Sequence, residues 1–287
     1  MAAEIGDRLE SLSCDGSKHQ EFEVAVRDAF AFLGFGAERL SGPGQTDVLL
    51  TGVRPPEAQR PDDSTSWRYL VAVDAKAATN GRLADLQVTW PALALHRKQH
   101  SAAFSVLVGP SPRSRLLQFA VDASVTVLSA EQLALLCRNH AEVPLPVADY
   151  LWLFVDSEGD PRGGAVDLSP IADARAQATA RRDLLAQVGE AVQDIAADFG
   201  PANRQLVRFS LAKTAALSGD ALGIEVAAAL DFLSSRWLRA IARSDPESAD
   251  PHYMSTAPGR TVAARLRWLA DAFDEVVDQA RETPETG

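Results

Sequence analysis

Residues 67–77 read WRYLVAVDAKA, and their centre from Tyr69 to Val73 is almost continuously apolar. A short run of this kind, rich in Val and aromatic residues, is expected to be a strand buried on both faces. It ends in Asp74-Ala75-Lys76. Strand alternation sends Asp74 and Lys76 to the same face, two residues apart. Unpaired charge is costly to bury, so a buried strand that ends this way suggests that something binds the two groups. The plainer alternatives are a solvated strand end or a simple ion pair.

Working upstream, DVLLTGV (47–53) reads as a short apolar strand that opens on Asp47, after the Gly- and Pro-dense turn SGPGQT (41–46). The polar, Pro-rich stretch 53–66 is expected to be a surface loop joining this strand to 67–77. If the two pair as a hairpin, Asp47 and Asp74 converge. Magnesium prefers oxygen ligands and keeps several waters, so two carboxylates and a carbonyl suffice from a protein. One member of the Asp74–Lys76 pair could then hold the ion while the other orients the water.

Before these strands, HQEFEVAVRDAFAFLG (19–34) spaces Phe22, Val26, Ala29, Phe30 and Leu33 as an amphipathic helix, which Gly34 stops. GAERL (36–40) follows as a short extended segment. Downstream, Asn80 is expected to cap a helix through Leu83, Leu86 and Gln87 that bends at Pro91 and continues to about Gln99. Strands at 103–109 and 124–129 and helices at 114–122 and 130–140 complete an α-β-β-β-α-β-α-β-α order. That alternation predicts an α/β fold, a mixed sheet flanked by helices. The EVPLP stretch around Pro144 and Pro146 is the expected boundary, dividing the chain into domains 1–146 and 147–287.

The bulk properties narrow the function classes. The chain has 287 residues, 46% of them hydrophobic and 23% charged, as in a globular protein. No apolar run is long enough for a membrane span, and the amphipathic start MAAEIGDRLESL lacks signal-peptide character. Cys14 and Cys137 have no metal-type spacing and read as reduced thiols of a cytoplasmic protein. The net charge is −11. A self-sufficient DNA binder usually carries a basic excess, but here 14 basic residues face 17 acidic ones in 1–143, and 14 face 22 in 144–287. Either basic side chains gather on one face or a partner supplies part of the grip.

EFEVAVRDAFAFLGF resembles the opening helix of Mrr-like restriction endonucleases, with Phe22-Glu23 followed by an apolar helix and Leu33-Gly34-Phe35. SGPGQTDVLL resembles the Gly-rich turn and metal-binding Asp of the PD-(D/E)xK superfamily, with Thr46 where the motif has Pro. VAVDAKA resembles its (D/E)xK strand, and VDAKAATNGRLADLQ and VTVLSAEQLALL resemble parts of the cleavage domain of type IIS restriction enzymes. The resemblance covers about 19–140. It departs from the pattern at Thr46, at Ala75 and in the longer loop between the two acids.

The resemblance implies a restriction-endonuclease-like fold and a metal-dependent DNA endonuclease of bacterial restriction or anti-phage defence. Asp47, Asp74 and the carbonyl of Ala75 would ligate magnesium, with manganese as a substitute. Lys76 would position the water and stabilise developing charge. Glu23 would lie near the metal as an outer-shell group or second-metal ligand, and Gln87 would support the site. Cutting both strands implies a homodimer or a subunit of a defence complex. Two rivals stay open: a catalytically silent nuclease-like DNA-binding or assembly subunit, and a repair nuclease acting on RNA or branched DNA. His96 and His100, four apart, lack a third ligand nearby and read as a solvated helix face. Glu21 reads as surface and Gly163-Gly164 as a plain turn.

Beyond Asp149, YLWLFVD reads as a last strand or buried segment, and most of the remainder as helical. Residues 171–198 and 203–217 read as helices, 221–243 as one long or two short helices, and the residues after Pro251 as a short strand and turn. The final helix carries a stripe of Val262, Leu266, Leu269, Phe273, Val276 and Val277. The pattern is compatible with a winged helix, in which Arg236, Arg239, Arg243, Arg260, Arg265 and Arg267 contact phosphates. Its net acidity favours a helical dimerisation or docking module.

Overall fold

The computed structural model describes residues 1–40, 45–54, 67–212, 219–244, 251–256 and 259–282. Most of the 41–46 turn and of the 53–66 loop therefore lie outside the described residues. Two compact units divide the chain, 1–176 and 177–287.

In the first unit, α1 (Ala2–Ser13) precedes α2 (His19–Phe32). Helix α2 buries Phe22, Ala25, Val26, Ala29 and Phe30 on one face. It ends as its sequence predicts: Gly34 takes φ +95°, while Gly34 N–H and Phe35 N–H return to the carbonyls of Ala31 and Phe30. A six-stranded sheet follows in the order β1-β2-β3-β5-β7-β8. Strands β1 (Gly36–Arg39), β2 (Val48–Val53) and β3 (Arg68–Ala75) are antiparallel neighbours. Strands β5 (Phe104–Gly109), β7 (Thr126–Ser129) and β8 (Gly164–Ala165) continue from β3 in parallel. The central strands bury both faces, since β5 is buried at every position and β3 at every position from Val71 to Ala75.

Helix α2 packs on β1–β3, and α5 (Ala130–Glu142) on α1 and β7. Helices α3 (Trp90–Gln99) and α4 (Ser114–Asp122) close a further layer. There Leu93, Leu116 and Ala120 join Leu83, Leu107 and Val127 in one apolar cluster. The expected mixed sheet flanked by helices is the architecture observed.

Two local expectations are corrected. The helix expected from Asn80 begins only at Trp90. Asn80 Oδ1 instead accepts from Arg82 N–H, Gly81 takes φ +66°, and the two-residue strand β4 (Arg82–Leu83) pairs with β6 (Ser111–Pro112). Pro91 then sits in the first turn of α3, where its missing N–H costs nothing. Gly163-Gly164 is more than a turn, because Gly164 enters the sheet. A Cβ at Gly163 would lie 2.8 Å from the Val121 backbone, so only glycine permits that approach. The run after Asp149, read as a last strand or buried segment, is the latter: 147–153 forms a 3-10 helix that buries Tyr150, Leu151 and Leu153. Phe154 stacks on Phe104 and meets Phe35 edge-on, which holds the segment after Pro146 against the first unit.

The second unit contains most of α6 (Ser169–Asp198), then β9 (Ala202–Asn203), α7 (Arg204–Leu211), α8 (Gly219–Ser234), β10 (Ile241–Arg243), β11 (His252–Ser255) and α9 (Gly259–Glu282). Residues 241–243, expected to be helical, form a strand. Arg239 takes φ +45°, and the chain then turns into the antiparallel sheet β10-β11-β9. Val188, Val192, Val207, Val226, Leu230, Leu238 and Tyr253 form this unit's core. No described helix is long and apolar enough to cross a membrane.

Candidate active site

The pairing of β2 with β3 decides the geometry. Val48 lies opposite Val73, so one further step along this antiparallel register brings Asp47 beside Asp74. Three bonds hold that step in place. Val73 carbonyl accepts from Asp47 N–H at 3.1 Å and from Thr46 Oγ1 at 2.7 Å. Asp47 Oδ2 in turn accepts from Ala75 N–H at 2.7 Å. Thr46 is buried, so its hydroxyl acts as a peg between the turn and β3.

Lys76 closes the cluster. Its Nζ lies 2.8 Å from Asp74 Oδ2 and 3.8 Å from Asp47 Oδ2. Lys76 N–H donates to Val108 carbonyl, and Gly109 brings its backbone so close that a Cβ there would lie 2.7 Å from Lys76 carbonyl. The neighbouring parallel strand therefore supports the backbone that presents Lys76.

Two carboxylates and one ammonium leave an excess of negative charge. Burial raises the Asp47 pKa, and the Asp74 charge raises it further. Lys76 and Ala75 N–H offset only part of this, so the pKa is pushed up to about 7. For Lys76, burial favours the neutral amine, but Asp74 and Asp47 outweigh it and hold the side chain as an ammonium.

Glu23 stands behind this group. Its charge acts on both Asp47 and Lys76, but its Oε2 is engaged by Arg39, from Nη2 at 2.7 Å and from Nε at 3.1 Å. Arg39 was not singled out in the sequence, because only the β1–β2 pairing brings it near the acids. Gln87 is exposed in a short 3-10 helix (Asp85–Gln87), where its Oε1 accepts from Ala84 N–H at 2.8 Å. Glu21 is exposed, as expected. His96 is buried rather than solvated.

Among the described residues, no three His, Cys, Asp or Glu side chains gather closely enough to hold an ion by themselves. The donor set present is two adjacent carboxylates with excess negative charge and the backbone of Ala75. It suits a hard cation that takes one or two carboxylates and fills its remaining positions with water, as magnesium does.

No family model and no curated protein matches the chain. Among solved structures it is similar to the restriction endonuclease FokI, with a TM-score of 0.42 and 16% identity over 54% of this chain. The same endonuclease bound to DNA gives 0.41 and 15% over 54%. Each match spans 30% of the endonuclease chain. Likenesses this distant carry nothing about chemistry, and what the site can do follows from its own side chains.

Proposed function

We propose that the first unit is a magnesium-dependent nuclease that hydrolyses DNA phosphodiester bonds at Asp47, Asp74 and Lys76. The observation that carries this reading is the placing of a buried and a half-buried carboxylate, Asp74 and Asp47, side by side, with one lysine shared between them. In this reading Asp47 and Asp74 hold the magnesium, or manganese in its place, with the Ala75 carbonyl as a further ligand and Glu23 behind them. Bound there, the ion supplies charge neutralisation at the transferring phosphate and makes a water more acidic.

The chain's own groups do the remainder. Asp74 aims the Lys76 ammonium, which donates to a phosphate oxygen and offsets the charge that develops on it. Arg39 keeps Glu23 oriented and its charge partly balanced. Gln87 joins the site only by releasing Ala84 N–H. The chemistry acts on phosphates and leaves base choice to other parts of the protein.

The second unit follows a helix–strand–helix–helix–strand–strand–helix order, compatible with a winged helix followed by one further helix. Helix α8, which in such a module would enter the DNA groove, carries Asp220, Glu225 and Asp231 and no basic residue. That composition favours docking to protein over gripping DNA. Target choice or activation therefore comes from this unit or a partner subunit, in the setting of a cytoplasmic restriction or anti-phage system.

Cleavage of supercoiled plasmid with magnesium tests the reading. Wild type should nick or linearise the plasmid, whereas Asp74→Ala and Lys76→Ala should not. Cleavage that survives both substitutions would sink the assignment.

A further inference from the structure

DNA is held largely through its phosphates, and a chain of net charge −11 must concentrate its cations to hold it. Most arginines described in the first unit are engaged locally. Arg8 and Arg27 meet Asp28, Arg39 meets Glu23, Arg115 meets Asp85 and Arg138 meets Glu10. Arg82 and Arg113 differ. Both are exposed, and among the described residues neither guanidinium has an ion pair or a hydrogen bond. Asp85, the acid nearest to Arg82 along the chain, is already held by Arg115.

Both also stand at the end of the sheet that presents the carboxylates. Strands β4 and β6 pair in parallel with Arg82 opposite Ser111, and Arg113 N–H donates to Leu83 carbonyl at 3.0 Å. Leu83 is fully buried, and its Cδ2 would lie 3.0 Å from a Cβ at Gly109, the glycine that abuts the Lys76 carbonyl. With Leu83 turned inward, strand alternation turns Arg82 outward. Arg113 follows Gly109 by four residues, about 14 Å of chain at most. Arg97 and Lys98 also lack an acid partner, but they end α3, whose dipole they complement. The chain passes from them to the opposite end of β5, roughly 16 Å from Gly109 along the strand.

We infer that Arg82 and Arg113 form a clamp for the phosphodiester backbone of duplex DNA beside the Asp47–Asp74–Lys76 cluster. The choice of ligand rests on the nuclease reading above. The guanidinium fork matches two phosphate oxygens at once. The cluster itself carries an excess of negative charge, so without neighbouring cations it repels the backbone it is to cut. Contacts to phosphates fix the position of the duplex without reading its sequence, which leaves base choice to other parts of the protein.

Fluorescence anisotropy of a labelled DNA duplex with the full chain, in calcium so that the duplex stays uncut, tests the clamp. Arg82→Ala and Arg113→Ala should each weaken binding roughly tenfold, equally on two unrelated sequences. Together they should lower the slope of log Kd against log salt by about 2. Lysine at both positions should keep that slope, and Arg97→Ala with Lys98→Ala should change neither quantity. Wild type that binds no duplex would overturn the inference, as would a double alanine variant that binds as wild type does. Weaker binding with an unchanged salt slope would overturn it too, and so would an equal loss from the Arg97 and Lys98 pair. The nuclease reading fails separately: binding that depends on these arginines in a protein that never cuts plasmid would leave the clamp standing and remove the catalysis.

Discussion

Replacing Asp47 with Asn should change how the metal-free protein responds to pH. In the folded state the carboxyl is held up to about 7, first by burial and then by the charge of Asp74. In the unfolded chain it titrates near ~3.9. The folded state therefore binds this proton more tightly. Its contribution to stability is complete below the unfolded pKa and is lost as pH rises through the folded one. Integrated between pH 5.5 and 8, the two pKa values give a loss of about 2 kcal/mol from this one group. For a domain of this size that corresponds to a fall of roughly 4–8 °C in Tm. Asn keeps the oxygen that accepts from Ala75 N–H but has no proton to lose. Differential scanning calorimetry in EDTA should show a pH-dependent Tm difference between wild type and Asp47→Asn, with the variant relatively more stable at pH 8. Magnesium should remove most of the pH dependence from wild type, because a bound cation favours the ionised carboxylate. Parallel Tm profiles in EDTA for the two proteins would refute the reasoning, since every other titrating group is common to both.

Three further substitutions separate the roles around the site. Lys76→Met should abolish cleavage and, in EDTA at pH 8, lower stability by about 1–3 kcal/mol by leaving two neighbouring carboxylates uncompensated; magnesium should recover the stability without the activity. Thr46→Val removes the bond to Val73 carbonyl at nearly constant volume. It should cost about 1 kcal/mol in urea unfolding and slow cleavage, while Thr46→Ser should retain both. Gly109→Ala places a Cβ against Lys76 carbonyl and should destabilise the first unit by roughly 1–3 kcal/mol, read as an earlier urea midpoint.

What the sequence made legible were contacts local along the chain or written in a strong period. The apolar centre of β3 and the close of α2 at Gly34 belong to this class, as does the same-face placing of Asp74 and Lys76. The partnership of Asp47 with Asp74 was conditional on a hairpin, and the Val48–Val73 register supplies it. What stayed hidden depended on distant partners. Leu83 and Leu86 sit at helical spacing, yet Leu83 is buried and Leu86 is 93% exposed, because Gly81 redirects the backbone between Asn80 and Leu83. Gly164 could not be seen as a strand residue, since two residues carry no periodicity and their partner is β7. The Arg39–Glu23 pair spans a helix and a strand and has no sequence signature.

The central claim, that Asp47 and Asp74 together hold a divalent ion, is tested most directly by manganese binding followed by electron paramagnetic resonance. Wild type should bind one manganese per chain, displaced by magnesium, and both Asp47→Asn and Asp74→Asn should lose that binding while remaining folded. Undiminished binding in both variants would contradict the account.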